Sequence, residues 1–326
     1  MPRFTGNAFK ITPVHFFGND KKLEKPEKIL PLVKQRMYDI DQIPSAGWVP
    51  FQNIRSRESL NHEIPFQIFN LSEKQKIFPV TSIVDKVDTQ LRSRISPTDY
   101  DKLPLKNKYY QKPIDFIFFN KDKKLFCLIS ASNPSTVDYT TKEFLLNHPF
   151  NDLGFSIDKN PNDFIISPDL ILWLLYRSME KGGEIDSKIF ISDISLLDGQ
   201  LIVPIKLKYE GQATTEYVTE LKQSIFLKRT FNDVEMTIKT NGNLFKFKLF
   251  SNGCIEFTPS ESEFNEEEKN EYLRNLGKSI EIYNNLIPAL KMAYRSDKMW
   301  EPKEREAFRK KCACDCQIII NDVLGQ

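Results

Sequence analysis

Gly47-Trp48-Val49-Pro50-Phe51 is the stretch on which the reading of this chain turns. The chain holds only 12 Gly and 3 Trp in 326 residues, so a Gly-Trp pair is a distinct local signal. Pro50 drives Val49 towards an extended backbone. Gly47 permits a sharp turn. The expectation is a corner after the first helix, with Trp48 buried and holding that helix against an N-terminal strand.

Working outward, residues 4–17 read as a strand. Residues 28–40 read as a basic amphipathic helix, with Ile29, Leu32, Val33, Met37 and Ile40 near helical spacing and Lys28, Lys34 and Arg36 on the other side. Residues 66–69 read as a strand. From Thr81 the pattern Ile83, Val84, Val87, Leu91 predicts a helix, with Thr81 or Ser82 as its cap and Asp85 in its first turn. Residues 96–112 read as loop, punctuated by Pro97, Pro104 and Pro113. Residues 114–119 and 125–130 form a hairpin, and 135–147 a short helix. Residues 149–162 are turn-rich and mark the clearest internal boundary.

Ser167-Pro168-Asp169 opens a strong helix, with Ser167 as N-cap and Pro168 at its first position. Gly182-Gly183 ends it. Residues 216–226 are helical. Residues 234–239, 244–250 and 254–257 form a meander with turns at Asn241-Gly242 and Asn252-Gly253. Residues 264–286 are helical, Pro288 marks a kink or stop, and 305–311 make a basic helical tail. The class is α+β, with hairpin-rich sheets and interleaved helices in a curved subunit of several subdomains. These span residues 1–150, a central β-rich 151–260, and a helical 261–326.

Composition narrows the function. Hydrophobic residues are 40% and charged residues 28%, which is globular composition. Net charge is only +2, so nucleic-acid binding requires local segregation of charge. No apolar run is long enough to span a membrane, and the first residues lack a signal-peptide core. Five Cys do not make a disulfide scaffold, which points to the cytoplasm. No phosphate-cradling glycine motif occurs, which argues against nucleotide-driven or Rossmann chemistry.

Two strands carry paired lysines. Alternation puts Lys206 and Lys208 on one face of residues 203–209, and Lys246 and Lys248 on one face of residues 244–250, with Lys228-Arg229 between them in sequence. Rows of cations across strands suit a phosphate backbone; the alternative is an ordinary solvated sheet face with edge-protecting lysines. Cys312, Cys314 and Cys316 are spaced more tightly than zinc ligands usually are, and incidental thiols are the simpler reading. His15, His62 and His148 are isolated. Asp115 on a strand resembles the first half of a metal-dependent nuclease core, but the following strand, Leu125-Phe126-Cys127-Leu128-Ile129-Ser130, lacks the second carboxylate. No cofactor is expected.

Taken in order, the elements resemble RdgC, the recombination-associated DNA-binding family of bacteria. Gly47 to Pro50 matches its Gly-Trp-Val-Pro turn after an opening strand and helix. Ile77-Phe78-Pro79-Val80, Leu128-Ile129-Ser130-Ala131-Ser132, Gly182-Gly183-Glu184-Ile185 with Asp193, Gly199-Gln200-Leu201 and Leu227-Lys228-Arg229 with Phe231 are similar to later segments, across residues 1–250. The segment between Gly183 and Gly199 is shorter than the family's, and the C-terminal third has no counterpart. The resemblance implies a homodimer closed as a ring around double-stranded DNA, associated with the nucleoid, binding without sequence preference and restraining a RecA-type recombinase. Phosphate contacts are then expected from Lys206, Lys208, Lys228, Arg229, Lys246 and Lys248, with Gly47, Trp48 and Pro50 structural. The alternatives are a restriction-type nuclease with Asp115 at the metal, and a protein-interaction module without DNA affinity.

Overall fold

The computed structural model describes residues 9–18, 25–52, 59–61, 63–71, 75–131, 133–197, 200–201, 212–264 and 271–324. The chain divides into two units, one of residues 11–161 and one of residues 162 onward together with residues 9 and 10. Each joins antiparallel strands to helices, so the class is α+β. No helix among the described residues is long and apolar enough to cross a membrane.

The first unit contains β1 (Phe9–Gly18, whose first two residues belong to the second unit), α1 (Leu30–Gln35), β2 (Ala46–Pro50), β3 (Phe69–Asn70) and β4 (Lys76–Val87). Three short helices follow, α2 (Thr89–Arg94), α3 (Pro97–Lys102) and α4 (Leu105–Lys108), then β5 (Tyr109–Lys121), β6 (Lys124–Ile129), α5 (Pro134–Thr140) and β7 (Phe155–Asp158). The strands lie in the order β2-β4-β5-β6-β1, with β3 on β4 and β7 on β1. One face of this sheet, including Phe78, Val80, Phe116, Phe118 and Cys127, packs with Trp48, Leu32, Val33, Val137 and Phe144 in one core.

The opening stretch is a strand and not a corner. β2 pairs with β4 from Ala46↔Val84 to Pro50↔Val80, and Trp48 is wholly buried. Gly47 is needed for closeness: a Cβ there would stand 2.4 Å from the Tyr38 amide nitrogen. The first helix is correspondingly shorter than its apolar spacing suggests. After a 3-10 turn at Pro26–Lys28 it covers only Leu30–Gln35, because the chain turns extended to bridge Met37 to Trp48. Tyr38 N–H donates to the Trp48 carbonyl at 3.0 Å.

The helix expected from Thr81 is also corrected. β4 continues through Val87, and Asp88 caps the helix that follows by accepting from Leu91 N–H. Nine consecutive β4 residues, 77–85, are buried. A strand buried on both faces loses its period-two signal and can pass for a helix. Asp85 accepts from the Tyr38 hydroxyl at 2.9 Å and the Ser45 amide at 3.0 Å. The β5–β6 hairpin forms as expected, turning at Asp122-Lys123 with φ of 49° and 61°.

The second unit contains α6 (Pro168–Glu180), β8 (Ile189–Leu197), β9 (Gln200–Leu201), α7 (Gln212–Phe226), β10 (Asp233–Thr240), β11 (Asn243–Phe250), β12 (Ile255–Phe257), α8 (Glu271–Glu281), α9 (Ile287–Ser296) and α10 (Arg305–Leu324). The strand order is β12-β11-β10-β8-β9. The meander and its turn at Asn241-Gly242 stand as the sequence indicates, with φ of 49° and 79°. Ser167 Oγ accepts from Leu170 N–H and starts α6, and Gly183 N–H closes it on the Arg177 carbonyl at 2.8 Å. Pro288 neither stops nor breaks the helix. A π-helical turn, Ile282–Leu286, runs directly into α9 with Pro288 as its second residue, and such a bulge is where a continuous helix accommodates a proline.

α6 is tied to the C-terminal helices at every turn. Asp169 accepts from Tyr294 at 2.7 Å, Trp300 at 2.9 Å and Arg305 at 3.2 Å. Trp173 Nε1 donates to Asp297 at 2.8 Å, Tyr176 to Glu304 at 2.6 Å, and Lys311 pairs with Glu180. Positions 169, 173, 176 and 180 follow the helical repeat, so one stripe of α6 carries the whole ladder.

Candidate nucleic-acid interface

β4 and β5 run antiparallel to the pair Val87↔Tyr109, and Asp88 N–H donates to the Lys108 carbonyl at 2.8 Å. Beyond this closure the chain forms a cap of α2, α3 and α4. Each has a local reason to be a helix. Asp88 caps α2, Ser96 Oγ accepts from Asp99 N–H at 3.1 Å to cap α3, and Pro104 precedes α4. None of the three helices contains a buried residue. The cap is therefore held by caps and backbone bonds, without a core of its own.

Its surface is cationic. The cap, residues 88–108, contains Arg92, Arg94, Lys102, Lys106 and Lys108 against Asp88, Asp99 and Asp101, and Lys86 and Lys112 flank it on β4 and β5. Among the described residues, none of these seven cations makes an ion pair. Two of the acids are engaged locally, Asp88 by Leu91 N–H and Asp99 by the Ser96 hydroxyl. Aromatic rings are interleaved. Arg92 and Lys108 lie 5.8 and 5.4 Å from the Tyr100 ring centre, and Tyr110 is exposed beside them in sequence. Leu105 is 56% exposed at the start of α4. Cations free of counter-ions, with planar groups among them, suit a phosphate backbone and its bases.

The lysine rows fare differently. Lys206 and Lys208 lie outside the described residues. Lys246 and Lys248 do share a face of β11, but each is matched to carboxylates. Lys246 pairs with Glu261 and stands 3.5 Å from Glu235, and Lys248 is 2.8 Å from Asp233. Burial pulls the Lys246 pKa down, yet the Glu261 hydrogen bond and the Glu235 and Glu261 charges outweigh it and hold the ammonium above its ordinary value. Glu256, opposite Lys248 on β12, pairs with Lys10 at 3.3 Å. This face alternates in sign, so a phosphate there has to displace a carboxylate.

Lys228 and Arg229 end α7 in a Schellman turn. Lys228 N–H donates to the Ile225 carbonyl and Arg229 N–H to that of Ser224, with Lys228 at φ 56°. Both side chains are exposed and outside any ion pair among the described residues, next to Phe226 and Leu227 at 49% and 53% exposure.

Asp115 is fully buried and accepts from the Thr81 hydroxyl at 2.7 Å. A catalytic metal and a phosphodiester cannot meet at a carboxylate closed to solvent. Cys312, Cys314 and Cys316 fall on α10, where a spacing of two turns the middle residue to the opposite side. Cys312 is buried, with its thiol pushed up to about 12 chiefly by burial, and Cys314 is exposed. Among the described residues, no three His, Cys, Asp or Glu side chains converge on a metal position.

The cap reads as loop because of its prolines, whereas the structure places α3, α4 and the start of β5 over residues 96–112. The signal that finds it is seven bases and three tyrosines within residues 86–112. No family model matches the chain, and no curated protein matches it in sequence.

Proposed function

We propose that this protein binds duplex DNA without sequence preference and modulates homologous recombination, the activity implied by its resemblance to RdgC. Binding is carried by the cap above β4 and β5, with Lys228 and Arg229 as a further phosphate contact. The observation that supports this most is the set of five cations, Arg92, Arg94, Lys102, Lys106 and Lys108, that make no ion pair among the described residues and sit on helices with no buried residue. Concentrated charge of this kind is compatible with a net charge of only +2. A dimer closed around the duplex, restraining a RecA-type recombinase, is the form of action that the resemblance adds.

Binding to circular and linear duplexes of equal length, with molecular mass measured in parallel, tests this reading. A closed dimer persists on circles and slides off open linear ends. A salt-sensitive complex of equal lifetime on both forms retains DNA binding but removes the ring. Absence of any duplex complex at low salt removes the reading altogether.

A further inference from the structure

At the base of the cap, two lysines from neighbouring strands meet under one helix. The pairs Val84↔Lys112 and Lys86↔Tyr110 make Lys86 and Lys112 diagonal neighbours on the same face of the sheet. α5 covers that face. Lys112 Nζ donates to Thr136 Oγ1 at 3.1 Å, and Lys86 Nζ lies 4.4 Å from the ring centre of Tyr139, one turn further along. Both lysines are half-buried.

The carboxylates nearby are committed elsewhere. Glu143 is held by Arg36, Asp138 by Lys159 at 2.5 Å, and Asp85 by Tyr38 and Ser45 on the opposite face. Two ammonium groups are thus held together, partly out of water, with one hydroxyl and one ring as their partners. Burial first, and the Lys86 charge second, lower the Lys112 pKa. Such an arrangement is unfavourable until an anion enters it.

We propose that Lys86, Lys112 and Thr136 form a binding site for a phosphate oxyanion. The two ammonium groups supply charge. The Thr136 hydroxyl accepts from Lys112 and keeps its own proton to donate to a phosphate oxygen. The ligand is either a phosphodiester of a bound nucleic acid or a free phosphate group, and the chemistry of recognition is the same. The site does not depend on the duplex-binding reading: Lys86 and Lys112 lie on β4 and β5, outside the cap helices, and inorganic phosphate is enough to test it.

The test is thermal unfolding of the full chain in increasing inorganic phosphate, at ionic strength matched with sodium chloride. The wild-type Tm rises with phosphate, and Lys112→Met weakens apparent phosphate affinity about tenfold or more. Without phosphate, Lys112→Met is at least as stable as wild type, since a desolvated charge is gone; if it does not fold, Lys86→Met takes its place. Equal phosphate stabilisation in wild type and variant, or none in wild type, overturns the site. A second arm adds a short duplex. Competition between phosphate and duplex in wild type, lost in the variant, identifies a phosphodiester. Loss of phosphate binding with unchanged duplex affinity identifies free phosphate.

Discussion

Gly47 lies against the backbone of Tyr38 so closely that a single added carbon would meet the Tyr38 amide nitrogen at 2.4 Å. The contact is backbone to backbone, where a parallel bridge links Met37 to Trp48. No side-chain rotation can relieve it. Gly47→Ala is therefore expected to destabilise the first unit by about 2 kcal/mol or more, seen as a lower urea midpoint. A midpoint equal to wild type shows that the strands part at no cost.

Trp48 extends the same relationship into the core. Its ring meets Phe116, Phe144 and Phe150 at 4.9, 5.0 and 6.1 Å. Trp48→Ala should cost about 3–5 kcal/mol and loosen the first unit. Trp48→Phe should cost less, because Trp48 Nε1 has no hydrogen-bond partner among the described residues. Equal losses for the two variants would show that ring packing is not what this residue supplies. Duplex binding should fall only in proportion to unfolded protein.

Asp169 gives a pH prediction. Burial raises its pKa, but hydrogen bonds from Trp300, Tyr294 and Arg305 outweigh this and hold it below the ordinary 3.8. A carboxylate depressed in the folded state contributes stability above its unfolded pKa and loses it as pH falls through the folded value. Stability should decline below about pH 4, and Asp169→Asn should flatten that decline. Tyr294 behaves oppositely at high pH. Burial and then Asp169 push it up to about 12, so its contribution is present below 10 and lost as pH rises towards 12. An acid limb unchanged in Asp169→Asn would contradict the clasp.

Lys228 occupies a left-handed position that glycine fills at lower cost. Lys228→Gly should stabilise the protein by about 0.5–1 kcal/mol while weakening duplex binding. Its salt slope should fall by about one unit. A variant that gains stability and binds DNA unchanged would remove Lys228 from the interface.

These features were unequally legible in the sequence. The turn at Asn241-Gly242 and the cap at Ser167-Pro168 are local, and each residue there carries its own instruction. Trp48 could be assigned to the core, but its strand could not, because Gly47 is required by a partner, Tyr38, nine residues away. β4 carries a helix-like pattern because burial on both faces erases alternation. The charge of a lysine row depends on its neighbours. Glu235 and Glu261 reach Lys246 through strand register and a later loop, which spacing along one strand cannot reveal. The cap cations stand out only once the carboxylates around them are placed.

The most direct measurement is the salt dependence of duplex binding for wild type, an Arg92→Ala/Arg94→Ala/Lys106→Ala variant and a Lys246→Ala/Lys248→Ala variant. Each phosphate contact contributes about 0.9 to the slope of log affinity against log salt. The account predicts that the cap variant loses about two to three units of slope and most of its affinity, while the strand variant keeps both. A cap variant that binds duplex with the wild-type slope would contradict it.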